Sequence, residues 1–416
     1  MNSVAVIGSG ISGLSISNLL SKSFDVTVIE KDNKPGGLIK CDIIDGNLYH
    51  LVGGHCFNSK REDVRKWFWK FFDRDKEFSK RVRKAVAIID KPIKYPIENH
   101  LYQMEKKVVN KIINELIMLA KSDKHIFSNF EDFLKNKFGL TLYEIYFKPY
   151  NEKIWKSKLD KIPLSWLEGK LPSPDINEIL SNNIMKTKES KMVHSSFYYP
   201  IKNGSQFIAN RLVRGLNVNY NYNVKSIKKD KFTNKWVINN ELKFDSIIFT
   251  ANIKSLPSIM ENFFNTKIEK KIYKLDSHGT TTVLCEFDKN DYSWIYMPDI
   301  NYDAHRIICT GNFSKNNNRH GILSGTLEFT NKISVNKIKS QLKKIPFSPK
   351  YIAHSYTEFT YPIQEKKTRH IVNSLKEKLE PENFYLLGRF AEWEYYNMDT
   401  AIGAAIDLSK KIKIKK

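Results

Sequence analysis

An apolar segment, VAVIGSGISG, opens the chain and leads directly into three glycines. Gly8, Gly10 and Gly13 have the spacing of the turn that joins the first strand to the first helix of a dinucleotide-binding unit. In such a turn the first glycine allows a tight bend, the second lets a pyrophosphate approach the backbone, and the third lets helix and strand pack closely. A helical segment and a second strand, DVTVIE, follow, and Glu30 at its end is placed to accept hydrogen bonds from a ribose. This combination predicts a Rossmann-like unit that binds a nucleotide cofactor.

A glycine doublet lies just beyond this acid, at Gly36 and Gly37. In FAD enzymes of the glutathione-reductase type, a doublet at this place gives the extended cofactor room, so it favours FAD over NAD. The diphosphate would sit on free amides at the start of the first helix, where the helix dipole favours negative charge. In this part of the chain we expect cofactor contacts from Gly8, Gly10, Ile11, Ser12, Gly13, Glu30, Lys31, Gly36 and Gly37.

The bulk composition limits the class of protein. A chain of 416 residues is too long for one ordinary core and predicts two or three domains, and no apolar run is long enough to cross a bilayer. The net charge of +23 is spread along the whole chain, so we interpret it as a solvated lysine-rich surface, and no segment resembles a nucleic-acid-binding module. The four cysteines have no C-x-x-C spacing and the histidines no metal-ligand spacing. These patterns predict reduced thiols, a cytoplasmic location and no metal site.

Hydrophobic periodicity changes along the chain. The segment KAVAIIDKPIKYPI alternates as strands do, helical spacing begins at about residue 103, and strands return after residue 195. The last part is a strand, a loop and a small-residue helix, so the first and last segments would fold together around the cofactor. We therefore predict an α/β protein with a discontinuous Rossmann-like FAD-binding domain, an antiparallel β-sheet domain and an all-helical insert that binds substrate. The expected boundaries are 1–80, 191–258 and 371–416 for the FAD-binding domain, 81–102 and 259–370 for the sheet domain, and 103–190 for the helical insert.

Four separated stretches carry a family resemblance. They are VAVIGSGISG with EKDNKPGG, the loop LVGGHCFN, the pair PYNEKIW and IPLSWLEGKLPSP, and the tail LLGRFAEWEYYNMDTAIGAA. With these stretches the chain resembles the UDP-galactopyranose mutases, flavoenzymes that interconvert the six-membered and five-membered ring forms of a nucleotide-linked galactose. The tail is the most specific of the four. The resemblance covers both ends and the middle of the chain.

The resemblance implies an isomerase whose chemistry is redox-neutral. In the family, reduced FAD attacks the anomeric carbon of the sugar through its N5 nitrogen and displaces the nucleoside diphosphate, and the sugar then recloses as the other ring form. The expected substrate is UDP-galactopyranose, and the product would feed synthesis of a surface glycan. Reduced flavin requires a reductant such as NADPH or a partner reductase. The sequence leaves the oligomeric state open, and a homo-oligomer is one possibility.

The resemblance also implies roles for individual residues. Arg306 and Tyr296 would contact the diphosphate, as would Tyr395. Arg389 lies near the flavin ring in the family, and His55 would hydrogen-bond the edge of the isoalloxazine. The further cofactor contacts expected from the resemblance are Gly54, His55, Gly388, Arg389, Asn397 and Met398.

Two positions depart from the family, and one of them is Asn397, which stands where many members have aspartate. The family has an arginine after the tryptophan-leucine pair as a second diphosphate clamp, whereas this chain offers Lys170 in WLEGKL. Lysine keeps the charge but lacks the planar fork of arginine. Trp155, or else Tyr150, would stack near the uracil, although a tryptophan in a helical insert is as readily a core residue. The expected catalytic residues are thus Arg306, Lys170, His55 and Arg389.

Two other functions stay open. An oxidoreductase of the amine-oxidase or desaturase type would share the cofactor unit, but it needs an apolar or amine-accepting cavity. The predicted site here is instead rich in cations and phenols, which suit phosphates. A flavin-binding protein without activity is the second alternative, because Lys170 and Asn397 both depart from the family pattern.

Overall fold

A computed structural model describes residues 1–122, 126–164, 175–186, 195–319 and 321–414 of the chain. The fold is mixed α/β, with a parallel sheet, a large antiparallel sheet and a helical region, and the predicted fold class is confirmed. None of the helices within these ranges has the length and apolar character needed to cross a membrane.

The strands within the described ranges are numbered in chain order. They are β1 Ser3–Ile7, β2 Asp25–Ile29, β3 Cys41–Ile44, β4 Asn47–His50, β5 Phe78–Val82, β6 Ala85–Ile88, β7 Pro92–Lys94, β8 Ser196–Pro200, β9 Asn217–Asn219, β10 Ile227–Lys229, β11 Trp236–Ile238, β12 Leu242–Phe244, β13 Ser246–Phe249, β14 Ser277–Phe287, β15 Trp294–Tyr296, β16 Ala304–Ile308, β17 Leu323–Thr330, β18 Lys350–Pro362 and β19 Phe384–Leu386.

The helices are numbered in the same way. They are α1 Ile11–Leu20, α2 Glu62–Phe68, α3 Arg74–Glu77, α4 Lys106–Lys121, α5 Phe130–Phe138, α6 Leu140–Leu142, α7 Lys148–Trp155, α8 Ile176–Met185, α9 Gly204–Leu212, α10 Leu256–Ile259, α11 Thr266–Tyr273, α12 Val335–Leu342, α13 Thr368–Leu379 and α14 Met398–Ile414. Short 3-10 turns lie between several of these elements, and a π-helical turn, Tyr143–Phe147, joins α6 to α7.

The parallel sheet joins the two ends of the chain. Its strand order is β19-β13-β1-β2-β9, and every neighbouring pair is parallel. Successive side chains of a strand point to opposite faces, so both faces of β1 are buried. Val4 and Val6 pack in one core with Ile16 of α1, while Ala5 and Ile7 belong to a second core. This arrangement accounts for the unbroken apolar run at the start of the sequence.

Strand pairing in the large sheet places two charged residues, Arg306 and Glu328, beside each other. Its order is β18-β14-β17-β16-β15-β6-β7, and all pairs are antiparallel except β15 with β6, which is parallel. The alternating pattern predicts strands at β6 and β7, but it does not predict the parallel pair. Tyr296 stands opposite Arg306, and Arg306 stands opposite Glu328. Because directly opposed residues point to the same face of a sheet, these three side chains form one row.

The helical region packs aromatic side chains against this row. Its helices α4 to α7 lie in the part of the sequence where helical spacing is predicted. The rings of Tyr146 and Tyr150 stack with centroids 5.6 Å apart, and the Tyr150 ring meets the Tyr296 ring edge-on at 5.3 Å. The π-helical turn and the start of α7 thus supply two stacked phenols, of which Tyr150 contacts the large sheet.

Candidate active site

The first glycine loop is shaped by close backbone approach. Gly8 has a φ of +104°, which favours glycine, and it is the turn between β1 and α1. A Cβ atom on Gly13 would lie 1.9 Å from the carbonyl oxygen of Gly8, so no other residue fits there without moving α1. The buried Glu30 carboxylate accepts hydrogen bonds from the backbone amides of Ser9 at 2.8 Å and Asp32 at 3.0 Å. Glu30, directly after β2, therefore also stabilises the glycine loop.

The glycine doublet closes on the first loop. The amide of Gly36 donates to the carbonyl of Ser9 at 2.9 Å, and Gly37 has a φ of +55°. A Cβ atom on Gly37 would lie 3.1 Å from the Cα of Gly10, whereas one on Gly10 would meet only Gly37 Cα, at 3.9 Å. The two loops thus leave room for a ligand beside the Gly10 backbone.

A cavity of about 460 Å³ lies over the ends of the parallel strands, where this class of sheet binds its ligands. It is bordered by the first turns of α1 and α14, whose free amides favour negative charge. Most of the predicted cofactor residues line it: Gly8, Gly10, Ile11, Ser12, Glu30, Lys31, Gly36, Gly37, His55, Arg389, Asn397 and Met398. The remaining three, Gly13, Gly54 and Gly388, are not in its wall. This cradle of glycine backbones and helix N-termini fits a dinucleotide.

Sequence reasoning missed two other parts of the cavity wall. One is the loop Tyr222, Asn223 and Val224, and the other is Thr250, Ala251 and Asn252, directly after β13. The second group had a usable signal, because FDSIIFTAN reads as a buried strand, and residues after the carboxyl end of a parallel strand border the ligand crevice. The first group follows a three-residue strand whose pairing with β2 no local pattern reveals.

His55 lies at the cavity wall as a neutral imidazole. Burial, together with the nearby Arg389 guanidinium, lowers the pKa of His55 to about 4. Its Nε2 atom is buried and has no hydrogen-bond partner among the described residues. A buried polar atom without a partner is rare in folded proteins, so it indicates a position that a ligand satisfies.

Arg306 is held by a buried carboxylate. Its Nε donates to Glu328 Oε2, and its Nη2 donates to the hydroxyl of Tyr361 at 3.0 Å. The other oxygen of Glu328 accepts from the amide of Gly53 at 2.8 Å, and His305 Nε2 lies 3.3 Å from the carboxylate. Glu328 therefore connects Arg306 to the glycine loop that carries His55.

The charges of this group follow from its contacts. Burial alone would raise the pKa of Glu328, but the Arg306 guanidinium and His305 outweigh it and hold that pKa well below its usual range. Burial lowers the pKa of His305 to about 4. At neutral pH the group thus consists of one guanidinium, one carboxylate and a neutral imidazole.

Arg389 and Tyr395 border the same region. Arg389 donates from Nε to the carbonyl of Tyr396 at 3.0 Å and from Nη1 to the carbonyl of Thr360 at 3.1 Å. Its guanidinium carbon lies 4.7 Å from the centre of the Tyr395 ring, which stacks on the Tyr361 ring at 5.5 Å. Arg306 and Arg389 are therefore linked through two stacked phenols, of which the motifs pointed to Tyr395 alone.

The other predicted substrate residues divide into two groups. Trp155 is buried, and its ring meets the Tyr361 ring edge-on at 6.0 Å, while Tyr150 contacts the ring of Tyr296. Both belong to the core that backs the site. Lys170 falls outside the described residues.

Sequence reasoning also missed Arg83, between β5 and β6. Its Nη2 donates to the hydroxyl of Tyr296, and its guanidinium carbon lies 5.1 Å from the centre of the Trp294 ring. No local motif marks this arginine, because its partners come from β15, which pairs with β6 across some two hundred residues of sequence. Within the described ranges, no cluster of His, Cys, Asp and Glu is arranged to hold a metal ion.

Comparisons with known proteins agree with this geometry. Residues 6–74 match the family model of the NAD(P)-binding Rossmann-like domain. A UDP-galactopyranose mutase of Mycoplasma genitalium is 20% identical, with 98% of this chain and 94% of that protein covered. A dTDP-fucopyranose mutase of Escherichia coli is 29% identical over 177 residues, which cover 40% of this chain and only 45% of that protein.

Solved structures give the same fold. A crystal structure of reduced UDP-galactopyranose mutase has a TM-score of 0.88 at 18% identity, with 100% of this chain and 94% of that chain covered. A putative protoporphyrinogen oxidase from Exiguobacterium has a TM-score of 0.77 at 12% identity, and a putrescine oxidase variant has 0.67 at 12%. The chain thus resembles the UDP-galactopyranose mutases in sequence along nearly its whole length and has their fold, as its motifs predict.

Proposed function

We propose that this chain is an FAD-dependent isomerase that interconverts the pyranose and furanose forms of a nucleotide-activated sugar. The observation that carries the proposal is the group of arginines and phenols beside the cofactor cradle. Arg306 and Arg389 border one region, and Tyr361 and Tyr395 lie between them. Guanidinium and phenol groups donate hydrogen bonds to phosphate oxygens, which is what a nucleoside diphosphate requires of its site.

The cradle would hold the FAD. Its diphosphate would be held at the N-terminus of α1, beside Gly10 and Gly37, and His55 and Arg389, which also line the cavity, would contact its ring system. When bound and reduced, FAD would supply the nucleophile, its N5 nitrogen. The reductant would be NADPH or a partner reductase. The orphaned Nε2 of His55 would gain a hydrogen-bond partner from the cofactor.

Arg306 would stabilise the departing diphosphate. Its Nε is committed to Glu328 and one Nη donates to Tyr361, which fixes the plane of the guanidinium before substrate arrives. A donor fixed in advance costs no reorganisation when charge develops on the leaving group. One such donor contributes about 3 kcal/mol to transition-state stabilisation, which corresponds to a rate factor on the order of one hundred or more.

The substrate that we propose is UDP-galactopyranose. The relative that aligns along almost the whole chain bears that name, whereas the dTDP-fucopyranose mutase aligns over 40% of it. Both names specify a nucleoside diphosphate sugar, so the charge of the expected ligand is the same. The sugar ring and the base are what a substrate panel must separate.

The test is isomerisation by the purified, flavin-loaded protein. UDP-galactopyranose and dTDP-fucopyranose are incubated separately with and without dithionite, and the products are resolved by chromatography and NMR. The proposal predicts a furanose product from UDP-galactopyranose only while the flavin stays reduced. If only dTDP-fucopyranose yields a furanose, the proposed substrate is wrong but the proposed type of reaction stands. Oxygen consumption with an amine such as putrescine, and no furanose from either sugar, would instead establish the oxidase alternative.

A further inference from the structure

Arg83 has the environment of a ligand-binding cation. Its side chain lies between aromatic rings, with the guanidinium carbon 5.1 Å from the centre of the Trp294 ring and 5.5 Å from that of Tyr95. Its Nη2 donates to the hydroxyl of Tyr296. Among the described residues, its buried Nε has no hydrogen-bond partner, and no carboxylate forms a salt bridge with it.

This environment is costly for a protein that has no ligand there. A buried charge is tolerated when an opposite charge and hydrogen bonds compensate the lost hydration. Cation–π contacts with tyrosine and tryptophan recover only part of it, on the order of 1–2 kcal/mol each. An anion that reaches Nε and the free Nη hydrogens would satisfy both the charge and the orphaned donor.

The charge of the neighbouring groups points to the same need. Arg306 is neutralised by the buried carboxylate of Glu328, with which it forms an ion pair. Burial lowers the pKa of His55 and of His305 to about 4, so neither imidazole adds positive charge at neutral pH. Arg83 is therefore a cation of the site whose charge no described carboxylate cancels.

Tyr296 connects Arg83 to the diphosphate residue Arg306. Tyr296 and Arg306 are directly opposed on β15 and β16, and Tyr296 accepts a hydrogen bond from Arg83. Since the phenol oxygen accepts from Arg83, its own O–H hydrogen is free to donate to a ligand oxygen. One anion could thus reach Arg83, Tyr296 and Arg306 from the same side of the sheet.

We propose that Arg83 is a second diphosphate-binding residue of the substrate site. The proposal rests on the proposed function, because it takes the anion to be the diphosphate of a nucleotide sugar. Arg83 would supply a net positive charge that the neutralised Arg306 pair lacks. It would also fix the direction of the Tyr296 hydroxyl towards the phosphate.

The experiment measures binding of UDP to the oxidised, flavin-loaded protein by isothermal titration calorimetry. Arg83→Met removes the charge and donors while keeping the apolar stem, and Lys84→Gln removes a neighbouring charge that is exposed and paired with Asp291. Loss of a charge-assisted hydrogen bond corresponds to an increase in Kd of about 10- to 100-fold. We expect that increase for R83M, less than a threefold change for K84Q, and an unchanged flavin content in both.

Several outcomes separate the two proposals. If wild type isomerises a nucleotide sugar and R83M binds UDP as tightly as wild type, the Arg83 assignment is wrong and the proposed function stands. The assignment is also wrong if R83M binds UDP normally but binds the complete nucleotide sugar weakly, since the contact would then be to the sugar. If wild type isomerises no nucleotide sugar, the proposed function itself fails. Should R83M lose its flavin, Arg83→Lys serves instead, with an expected increase in Kd of about threefold to tenfold and contradiction by an unchanged one.

Discussion

Glu328→Gln tests how the site holds its charge. The substitution keeps the shape of the side chain but removes the negative charge that faces Arg306. It also changes the acceptor for the Gly53 amide, which donates to Oε1 at 2.8 Å. Breaking a buried ion pair by removing one partner costs about 3–5 kcal/mol, because the other charge is left uncompensated. The amide oxygen of Gln can still accept one hydrogen bond, so we expect the lower end of that range, about 3 kcal/mol.

The assay compares the thermal unfolding of wild type and Glu328→Gln, each loaded with flavin, with and without saturating UDP. A diphosphate would compensate the freed Arg306 charge, so UDP should stabilise the variant more than it stabilises wild type.

The pH dependence gives a second readout. The pKa of Glu328 is depressed in the folded state, so its contribution is present above its ordinary pKa and is lost as pH falls through acid values. Wild type should therefore lose more stability on acidification below about pH 5 than the variant does. Equal unfolding temperatures at neutral pH would refute the claim that the buried Glu328 carboxylate neutralises Arg306.

Three further predictions follow from single contacts. Arg306→Ala should lower turnover by a factor on the order of one hundred or more and leave the flavin bound, as judged by initial rates and visible absorbance, and turnover within tenfold of wild type would remove this residue from the site. Gly37→Ala should yield protein depleted of flavin, because its Cβ would lie 3.1 Å from Gly10 Cα at a positive φ. Gly215→Ala, which also has a positive φ but open space around it, should keep its flavin, so equal loss in both variants would contradict a steric role. Burial lowers the pKa of His305 to about 4, so the unfolded chain binds a proton there first and stability falls as pH drops from about 6.5 to 4. His305→Asn should make the dependence of unfolding temperature on pH shallower in that window, and an unchanged slope would show that His305 does not contribute.

The cofactor unit could be predicted because its signals are local. One short segment, Val4 to Glu30, contains the strand, the glycine turn, the helix and the acid. The residues of each element are enough to predict its conformation. Gly8 and Gly37 have positive φ values that few other residues adopt, and Gly10 leaves open space beside its backbone. Local sequence therefore carries enough information for the fold of this unit and for the part of the cavity wall that residues 7–40 supply.

The substrate side depends on strand pairing between distant segments. Glu328 stands beside Arg306 because β17 pairs with β16, and Arg83 reaches Tyr296 because β6 pairs in parallel with β15. Neither Glu328 nor Arg83 belongs to a motif, and the contacts of both become clear only when the strand register is known. Tyr361, at the end of β18, is a third case, because it lies between Arg306 and the Tyr395 ring that contacts Arg389.

The most direct measurement is the isomerisation of UDP-galactopyranose by wild type while the redox state of the flavin is controlled. We predict that furanose forms with dithionite, stops forming when the flavin is reoxidised by air, and forms again on renewed reduction, with no net consumption of reductant per product formed. Furanose formation that is independent of the flavin's redox state, or an absence of product from any nucleoside diphosphate sugar while an amine is oxidised, would contradict this prediction.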